Sequence, residues 1–358
     1  MYTIIGSGGA IANELVSLLY AHKESVRLIS HCPLQIAGTE NRIADLLDPC
    51  EMLQAVEGSA VVYLMTGITD EDGNWWKDWP QIMKNVIAAC KQAGARLIYL
   101  DCADLYGRVE GVMTEETPVI PVTQNGRVAA EIFRMLQREM AIGTARIAIA
   151  RYAEIYGSCL SAGARVGQLV FVNLKRKRGA QWLINADVPH AFNYTPDLVR
   201  ALYILALNEQ SCGQVWHMPT AKPALNGRQF TAIAAHYMRT SGQEQAVPQR
   251  LRNILDQLMG GQELQRSPYL MAADTGTSAG LARPEFEQVD LRIIPKWQLK
   301  LSSWFDRRKS EYYEMSYRDE FPFRFDSSKF ENTFHFKPTS YHDGIRATAR
   351  WFSNNHTR

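Results

Sequence analysis

The chain has 358 residues and a net charge of +2, with 46% hydrophobic and 21% charged residues. This composition is typical of a soluble globular protein with a sizeable core, and the balanced charge argues against nucleic-acid binding through a basic tail. No apolar run approaches the roughly 18–20 residues that span a bilayer, and Met1 leads directly into a strand pattern, which leaves no room for a signal peptide.

Short apolar strand patterns alternate with helical patterns through the first half of the chain. The predicted strands are Thr3–Ile5, Val26–Ser30, Val61–Met65, Arg96–Asp101 and Ala145–Arg151. The predicted helices are Ile11–His22, Glu51–Val56, Trp79–Ala93 and Val128–Ala141. Strands that are apolar without alternation are covered on both faces, so this order predicts an α/β fold with a doubly wound parallel sheet. Two later runs, Trp182–Asn185 and Val215–Met218, either extend the sheet or belong to a smaller lobe.

The first strand and the first helix are joined by a glycine-rich turn, in which Gly6, Gly9 and Ala12 follow a G-x-x-G-x-x-A spacing. Glycines permit a tight turn and let a phosphate approach the backbone, and the small third residue keeps the helix close to the sheet. The helix N-terminus offers N–H groups and a positive dipole end to a pyrophosphate. The pattern predicts a Rossmann-type dinucleotide site that contains Gly6, Ser7, Gly8, Gly9, Ala10, Ile11 and Ala12.

The end of the second strand bears on the choice of dinucleotide. An acidic residue here would bind the adenosine ribose and favour NAD, but the chain has Ser30 and His31. These side chains tolerate a 2′-phosphate, although the usual arginine is missing. The sequence therefore predicts NADP or NAD as cofactor and slightly favours NADP.

Later segments follow the glycine turn in an order typical of one family: "IADLLDP", "VVYLMTGIT", "KNVIAAC" with Asn85, "DCADLYG", "RYAEIYG", "HAFNYTPDLVRAL" and "FDSSKFENTFHFKP". Over most of its length the chain resembles an extended short-chain dehydrogenase/reductase of the NAD-dependent epimerase/dehydratase family. The resemblance implies that Asp45 and Leu46 lie near the adenine. It also implies that Met65, Thr66 and Gly67 lie near the adenosine and ribose.

The chain departs from this family at the catalytic dyad, in which a lysine lowers the pKa of a tyrosine four residues before it. The equivalent stretch, "PVTQNGRVAAE", puts Thr123 and Arg127 at the two positions, or Asn125 and Ala129 in another register. Between Gly107 and Arg151 the chain contains no Tyr and no Lys. A threonine cannot supply a tyrosinate, whereas Arg127 keeps its charge and can still bind a ribose or a phosphate.

Other candidates for chemistry follow the fourth predicted strand, at the sheet edge where open α/β sheets place their sites. Cys102 replaces the Ser/Thr substrate donor of the family, and Tyr106 stands four residues later. Tyr106 either replaces the missing acid or packs in the core. Cys102 is either a nucleophile or, because two acidic residues are close in sequence, a thiol with a raised pKa.

Two substrate positions also differ from the family. Glu154 stands where the family has an asparagine, and His190 stands where an arginine often binds a nucleotide diphosphate. A carboxylate facing a diphosphate is repulsive, so we expect a small substrate that is not a nucleotide sugar. Alternatively, Glu154 turns to solvent or pairs with Arg151. Tyr156, in the same segment, is a further candidate substrate contact.

The sequence therefore predicts a dinucleotide-binding domain over residues 1–165, with sheet extensions around 181–220, and a C-terminal substrate lobe built mainly from 220–358. The most favoured function is an NAD(P)-dependent oxidoreductase or an epimerase/dehydratase-type enzyme, and the alternative is a non-catalytic NAD(P)-binding sensor or scaffold. The two predicted helices Trp79–Ala93 and Val128–Ala141 match those that pair family members, which predicts a homodimer.

The cysteine and histidine patterns argue against a metal site. The six cysteines are scattered without a C-x-x-C pair, and the eight histidines form no H-x-x-x-H or H-E-x-x-H motif. Scattered cysteines are typical of reduced, structural thiols. We therefore expect a cytoplasmic protein with no metal, no nucleic-acid partner and no membrane partner.

Overall fold

A computed structural model describes residues 1–6, 9–30, 36–65, 75–158, 164–240, 290–304 and 307–355. Its strands, in chain order, are β1 (Tyr2–Ile5), β2 (Val26–Ser30), β3 (Glu40–Ile43), β4 (Val61–Leu64), β5 (Arg96–Cys102), β6 (Val112–Met113), β7 (Ile147–Tyr152), β8 (Glu154–Tyr156), β9 (Ala180–Leu183), β10 (Pro189–His190), β11 (Phe192–Tyr194), β12 (Gln214–His217), β13 (Leu225–Asn226), β14 (Leu291–Ile294) and β15 (Arg324–Phe325).

The helices are α1 (Ala10–Ala21), α2 (Pro49–Val56), α3 (Trp75–Ala93), α4 (Gln124–Ile142), α5 (Asn173–Lys175), α6 (Thr195–Leu207), α7 (Gly227–Thr240), α8 (Lys296–Ser303), α9 (Arg307–Glu314), α10 (Tyr317–Glu320), α11 (Ser328–Thr333) and α12 (Tyr341–Asn354). A short 3₁₀ turn, Ala103–Tyr106, follows β5. No helix in the described ranges is both long and apolar enough to cross a membrane.

The centre of the molecule is a seven-stranded sheet in the order β12-β7-β5-β4-β1-β2-β3. Every neighbouring pair is parallel; Ile5, for example, aligns with Ile29 on one side and Leu64 on the other. The two central strands β1 and β4 are buried along their whole length. This arrangement confirms the predicted doubly wound α/β fold.

Two strands at the periphery refine the prediction. The edge strand β3 was not predicted, because its sequence "ENRI" is mostly polar and every second residue is exposed. Of the two ambiguous runs, the one at β12 extends the large sheet. The other, β9, pairs with β14 in a separate two-stranded sheet.

The core has three parts. One face of the sheet packs against α2, α3 and α4, and the other packs against α1 and α6. A third cluster lies apart from the sheet and is rich in aromatic side chains, among them Tyr156, Phe171, Phe192, Phe230 and Phe352. The segment around α11 returns to the sheet, where Phe330 packs on Trp216.

The strand order reverses between β1 and β4, and a crevice opens at the carboxyl ends of the strands at such a point. Gly6 follows β1, Ser30 ends β2 and Met65 follows β4. Cys102 and Tyr152 end β5 and β7 at the same edge, where they align with each other. The fold therefore places Gly6, Ser30, Met65 and Cys102, four of the predicted site residues, along one edge of the sheet.

Candidate cofactor and substrate site

The two described ends of the glycine turn, Gly6 and Gly9, have backbone conformations that suit a phosphate site. Gly6 has a φ of +90°, a conformation that favours glycine. Gly9 precedes α1 with a φ of −76°, and no side chain caps the helix. A Cβ atom on Gly9 would meet no atom of the described residues within 4 Å. The backbone and the packing therefore permit a side chain at Gly9, and the open space fits a pyrophosphate on the helix N-terminus.

The remainder of α1 supports this turn. Ala12 is buried against the sheet, as the spacing predicts, while Ala10 and Ile11 are partly buried at the start of the helix. Ser7 and Gly8 lie outside the described residues, as do His31, Thr66 and Gly67. The described part of the turn therefore fits an NAD(P) pyrophosphate.

The loop that carries Asp45 is held by a buried amide. Asn85 of α3 donates hydrogen bonds from Nδ2 to the carbonyl oxygens of Leu46 and Leu47, each at 2.9 Å. Leu46 is buried, whereas Asp45 is exposed, and its Oδ1 accepts the N–H of Leu47 at 2.9 Å. Asn85 thus fixes the loop that the family resemblance places at the adenine.

A buried hydrogen-bonded chain links three strands behind the cleft. Asp101 Oδ2 accepts from Arg151 Nε at 2.9 Å, and Arg151 Nη1 donates to the Tyr106 hydroxyl at 2.6 Å. The Tyr106 hydroxyl lies 2.7 Å from Nε2 of His217, whose Nδ1 is 2.8 Å from the carbonyl oxygen of Asp326. Because a carbonyl only accepts, Nδ1 carries the proton, and Tyr106 donates to Nε2.

In this arrangement the Tyr106 hydroxyl is already used both as a donor and as an acceptor. Burial raises the pKa of Tyr106 to about 12. Burial, together with the charge of Arg151, lowers the pKa of His217 to about 3. Tyr106 is 1% exposed, so the structure favours the packing interpretation over an acid that meets substrate.

Replacing Tyr106 with phenylalanine should lower the free energy of unfolding by about 1–3 kcal/mol, because it leaves a buried histidine nitrogen and a guanidinium N–H without their partner. Urea denaturation measures the change. The matched variant Tyr20→Phe, at a tyrosine that is 56% exposed, should change it by less than about 0.5 kcal/mol. An equal effect of both variants would contradict the assigned chain of hydrogen bonds.

Cys102 is partly buried and is held by its acidic neighbour. Its Sγ donates to Asp104 Oδ2 at 3.2 Å. Asp104 Oδ1 accepts from the Tyr317 hydroxyl at 3.1 Å and forms an ion pair with Arg318. Burial raises the pKa of the Cys102 thiol well above 9, and the nearby Asp104 and Asp101 raise it further. A thiol in this environment is a poor nucleophile.

Glu154 is buried in a network of charges. Its Oε2 lies 3.0 Å from Arg165 Nη2, 3.7 Å from Arg318 Nη1 and 3.8 Å from His190 Nε2. Burial opposes ionisation, but the charges of Arg165 and Arg318 hold the pKa of Glu154 well below 4.5. The alternatives of solvent exposure and of pairing with Arg151 are both wrong, because Glu154 is 6% exposed and Arg151 pairs with Asp101.

His190 faces the same network without a hydrogen bond of its own. It is 1% exposed and stacks on Phe323 with ring centroids 5.0 Å apart. Neither ring nitrogen has a hydrogen-bond partner in the described part of the chain. Burial lowers its pKa. Arg165 also binds Asp319 Oδ2 at 2.5 Å, so C-terminal residues close this end of the cleft.

Three other predicted site residues lie elsewhere or have structural roles. Tyr156 lies in the third core cluster, where its ring contacts Phe192 and Phe230. Thr123 caps α4, because its Oγ1 accepts the N–H of Gly126 at 3.0 Å. Arg127, one turn later, is exposed. The structure thus brings Cys102, Glu154 and His190 into one connected network and leaves Tyr156 outside it.

Several residues of this network were not predicted from the sequence. Arg165, Tyr317, Arg318 and Asp319 come from segments without a regular pattern, and the run "SYRDEF" gives no sign that its charges are buried. His217 did offer a signal, because a histidine ends the apolar strand β12. Among the described residues, no group of three or more His, Cys, Asp and Glu side chains is placed to hold a metal ion.

Comparisons with known proteins agree with this architecture. A family model described as the NAD dependent epimerase/dehydratase family matches residues 2–218. A double mutant of the dTDP-glucose 4,6-dehydratase from Streptomyces venezuelae, with NAD and DAU bound, superposes with a TM-score of 0.68 at 15% identity over 99% of this chain and 97% of the other.

Two epimerases from Bacillus cereus are also similar in structure. UDP-glucuronic acid 4-epimerase in complex with NAD gives a TM-score of 0.65 at 15% identity, over 98% of this chain and 96% of that one. UDP-N-acetylglucosamine 4-epimerase gives 0.66 at 11% identity, over 97% and 94%. None of the curated proteins matches the sequence. Because the family model spans more than half of the chain, the chain belongs to the NAD dependent epimerase/dehydratase family.

Proposed function

We propose that this chain binds NADP or NAD at the glycine turn and acts as an oxidoreductase on a small substrate. The observation that carries the proposal is the uncapped N-terminus of α1 behind Gly9, with open space where a phosphate would approach. Similar structures were solved with NAD, which supports the cofactor class, and the absence of an acid at Ser30 favours NADP. The nicotinamide would supply or accept hydride.

The proposed substrate is not a nucleotide sugar. Glu154 places a buried carboxylate on the substrate side, and its pKa is held well below the usual range. His190 is neutral at physiological pH, because burial lowers its pKa. Arg165 and Arg318 are already paired with Glu154, and a neutral His190 supplies no charge in place of the arginine that often binds a diphosphate. The reaction also needs a proton donor other than Tyr106, such as water.

A non-catalytic sensor or scaffold is the second candidate function. What favours it is the absence of Tyr and Lys between Gly107 and Arg151, together with the pairing of Arg318 and Asp104 beside Cys102. This function predicts cofactor binding without turnover of any carbonyl substrate. A steady rate of NADPH or NADH oxidation that a Cys102→Ala substitution abolishes would exclude it.

Replacing Gly9 with alanine should weaken NADPH and NADH binding at least tenfold, because a Cβ would stand where the pyrophosphate approaches. The fold itself should tolerate the change, since φ is −76° and no atom of the described residues lies within 4 Å of the new carbon. Isothermal titration calorimetry measures the affinity, and thermal unfolding without cofactor checks the fold.

The matched control is Asn13→Ala, at an exposed position of the same helix, which should leave binding unchanged. Equal affinity of the Gly9→Ala variant and the unaltered protein would place the cofactor elsewhere. Absence of heat and of a thermal shift with both NADPH and NADH would overturn the proposed cofactor.

We also propose a homodimer that packs through α3 and α4, with the dinucleotide-binding domain over 1–165 and the substrate lobe over 220–358. A groove of about 670 Å³ between the two helices is lined by Ile87, Ala88 and Met135 together with charged side chains. A monomer mass in light scattering would refute the dimer.

The four cysteines in the described ranges are free thiols, which supports a reducing, cytoplasmic location.

A further inference from the structure

Helix α8 turns an apolar face outward. Trp297 is 65% exposed, Leu301 is 50% exposed, and Trp304, just after the helix, is 72% exposed. Spacings of four and three residues place these side chains on one side of a helix. Leu299, about 200° away around the axis, is buried and holds the helix to the protein. The helix therefore meets the core with one side and presents a separate apolar stripe on the other.

The same segment concentrates positive charge. The described residues 290–304 contain three basic side chains, Arg292, Lys296 and Lys300, and one acidic side chain, Asp290, in a chain whose overall net charge is only +2. Lys296 and Lys300 are exposed and flank the stripe one turn apart. Lys296 also forms an ion pair with Glu320, which anchors the start of the helix. The stripe is therefore bordered by the ammonium group of Lys300 and by that of Lys296, which is shared with Glu320.

Amphipathic helices with tryptophan and leucine on one face and lysine beside it lie in the interfacial region of a bilayer, and anionic lipids strengthen their binding. A tryptophan ring suits that region because it is large, apolar and carries one polar N–H. Single exposed apolar side chains are normal in soluble proteins, but three in line form a patch.

We propose that the surface formed by Trp297, Leu301, Trp304 and the adjacent lysines binds an anionic lipid bilayer. Charge favours the bilayer over a second copy of the chain. In a two-fold interface the same basic surface would face itself, and the like charges would repel. The mode is peripheral: the helix lies on the membrane and does not span it. This peripheral mode goes against the expectation of no membrane partner, which rests on the lack of a run long enough to span a bilayer.

Sedimentation of the full-length protein with large unilamellar vesicles tests the proposal. The protein should sediment with phosphatidylcholine vesicles that contain about one third phosphatidylglycerol, and binding should weaken as salt rises. Neutral phosphatidylcholine vesicles should retain at least fivefold less protein. The double variant Trp297→Ser/Trp304→Ser should lower partitioning at least tenfold, and Lys300→Gln should lower it about fivefold.

The matched control is Trp76→Ser, at a tryptophan that is 42% exposed on α3, which should bind vesicles like the unaltered protein. Thermal unfolding should show that Lys300→Gln, at an exposed position, leaves the fold intact. The proposal is overturned if anionic vesicles retain no protein, or if the Trp297/Trp304 variant binds like the Trp76 variant. It is equally overturned if the double variant changes only the oligomeric mass in light scattering, because the surface would then join copies of the chain.

Discussion

Replacing Arg318 with methionine should lower the free energy of unfolding by about 3–5 kcal/mol. Arg318 is 4% exposed and pairs with Asp104 in the 3₁₀ turn after β5, 214 residues away in sequence. Its Nη1 also lies 3.7 Å from Glu154 Oε2. Methionine fills a similar volume but leaves Asp104 as a buried carboxylate without its cation. Urea denaturation at pH 7 measures the loss.

Two further variants make this result specific. Arg346→Met removes a guanidinium that pairs with Asp343 on the exposed face of α12, and it should cost less than about 0.5 kcal/mol. Adding Asp104→Asn to Arg318→Met removes the unpaired charge and should restore part of the loss. A cost below about 1 kcal/mol for Arg318→Met alone would show that the carboxylates of this network are solvated.

The Arg318 network also bears on the choice between enzyme and sensor. It surrounds Cys102 with the chain's own charges, and its ion pairs join Asp104, Glu154 and Arg165, none of which belongs to the glycine turn. Cofactor affinity should therefore be the same in Arg318→Met and the unaltered protein. The two halves of the proposed site should therefore be separable by mutation, since the ion pairs stand on one side and the cofactor would bind on the other.

The sheet could be predicted from the sequence because its central strands are short apolar runs separated by amphipathic helices. That pattern is local. Because strands such as β1 and β4 are buried on both faces, most of their residues are apolar. The edge strand β3 escaped prediction because it pairs on one side only and can carry polar residues. The observed helix ends differ from the predicted ones by a few residues. For example, α4 begins at Gln124 rather than at Val128.

The site was harder to predict because its contacts join distant segments. The sequence identified Glu154 as an unusual charge, but its partners Arg165 and Arg318 follow by 11 and 164 residues. A charge run is commonly a solvated face, and only the tertiary structure shows that "YRD" in α10 is largely buried. The role of Tyr106 depends in the same way on β7 and β12, which supply Arg151 and His217.

A second buried carboxyl group lies in α1 and, among the described residues, lacks a partner like the one that Arg318 gives to Asp104. Glu14 is 4% exposed, and neither carboxyl oxygen has a hydrogen-bond partner among the described residues. Burial raises its pKa from 4.5 to about 8, against a smaller opposing effect of the Thr195 hydroxyl, and the charge of Asp197 raises it further. The folded protein therefore holds a proton on Glu14 that the unfolded chain releases above pH 4.5.

Replacing Glu14 with glutamine should make the protein more stable than the unaltered chain at alkaline pH. Because the folded pKa is the higher one, stability from this group is complete below pH 4.5 and declines as pH rises to about 8. The neutral amide removes that decline, so the gain should be below about 1 kcal/mol at pH 5 and about 4–5 kcal/mol at pH 9. Urea denaturation at pH 5, 7 and 9 measures it, with the exposed Glu57→Gln as the matched control. A gain that does not depend on pH would show that Glu14 is ionised in the fold.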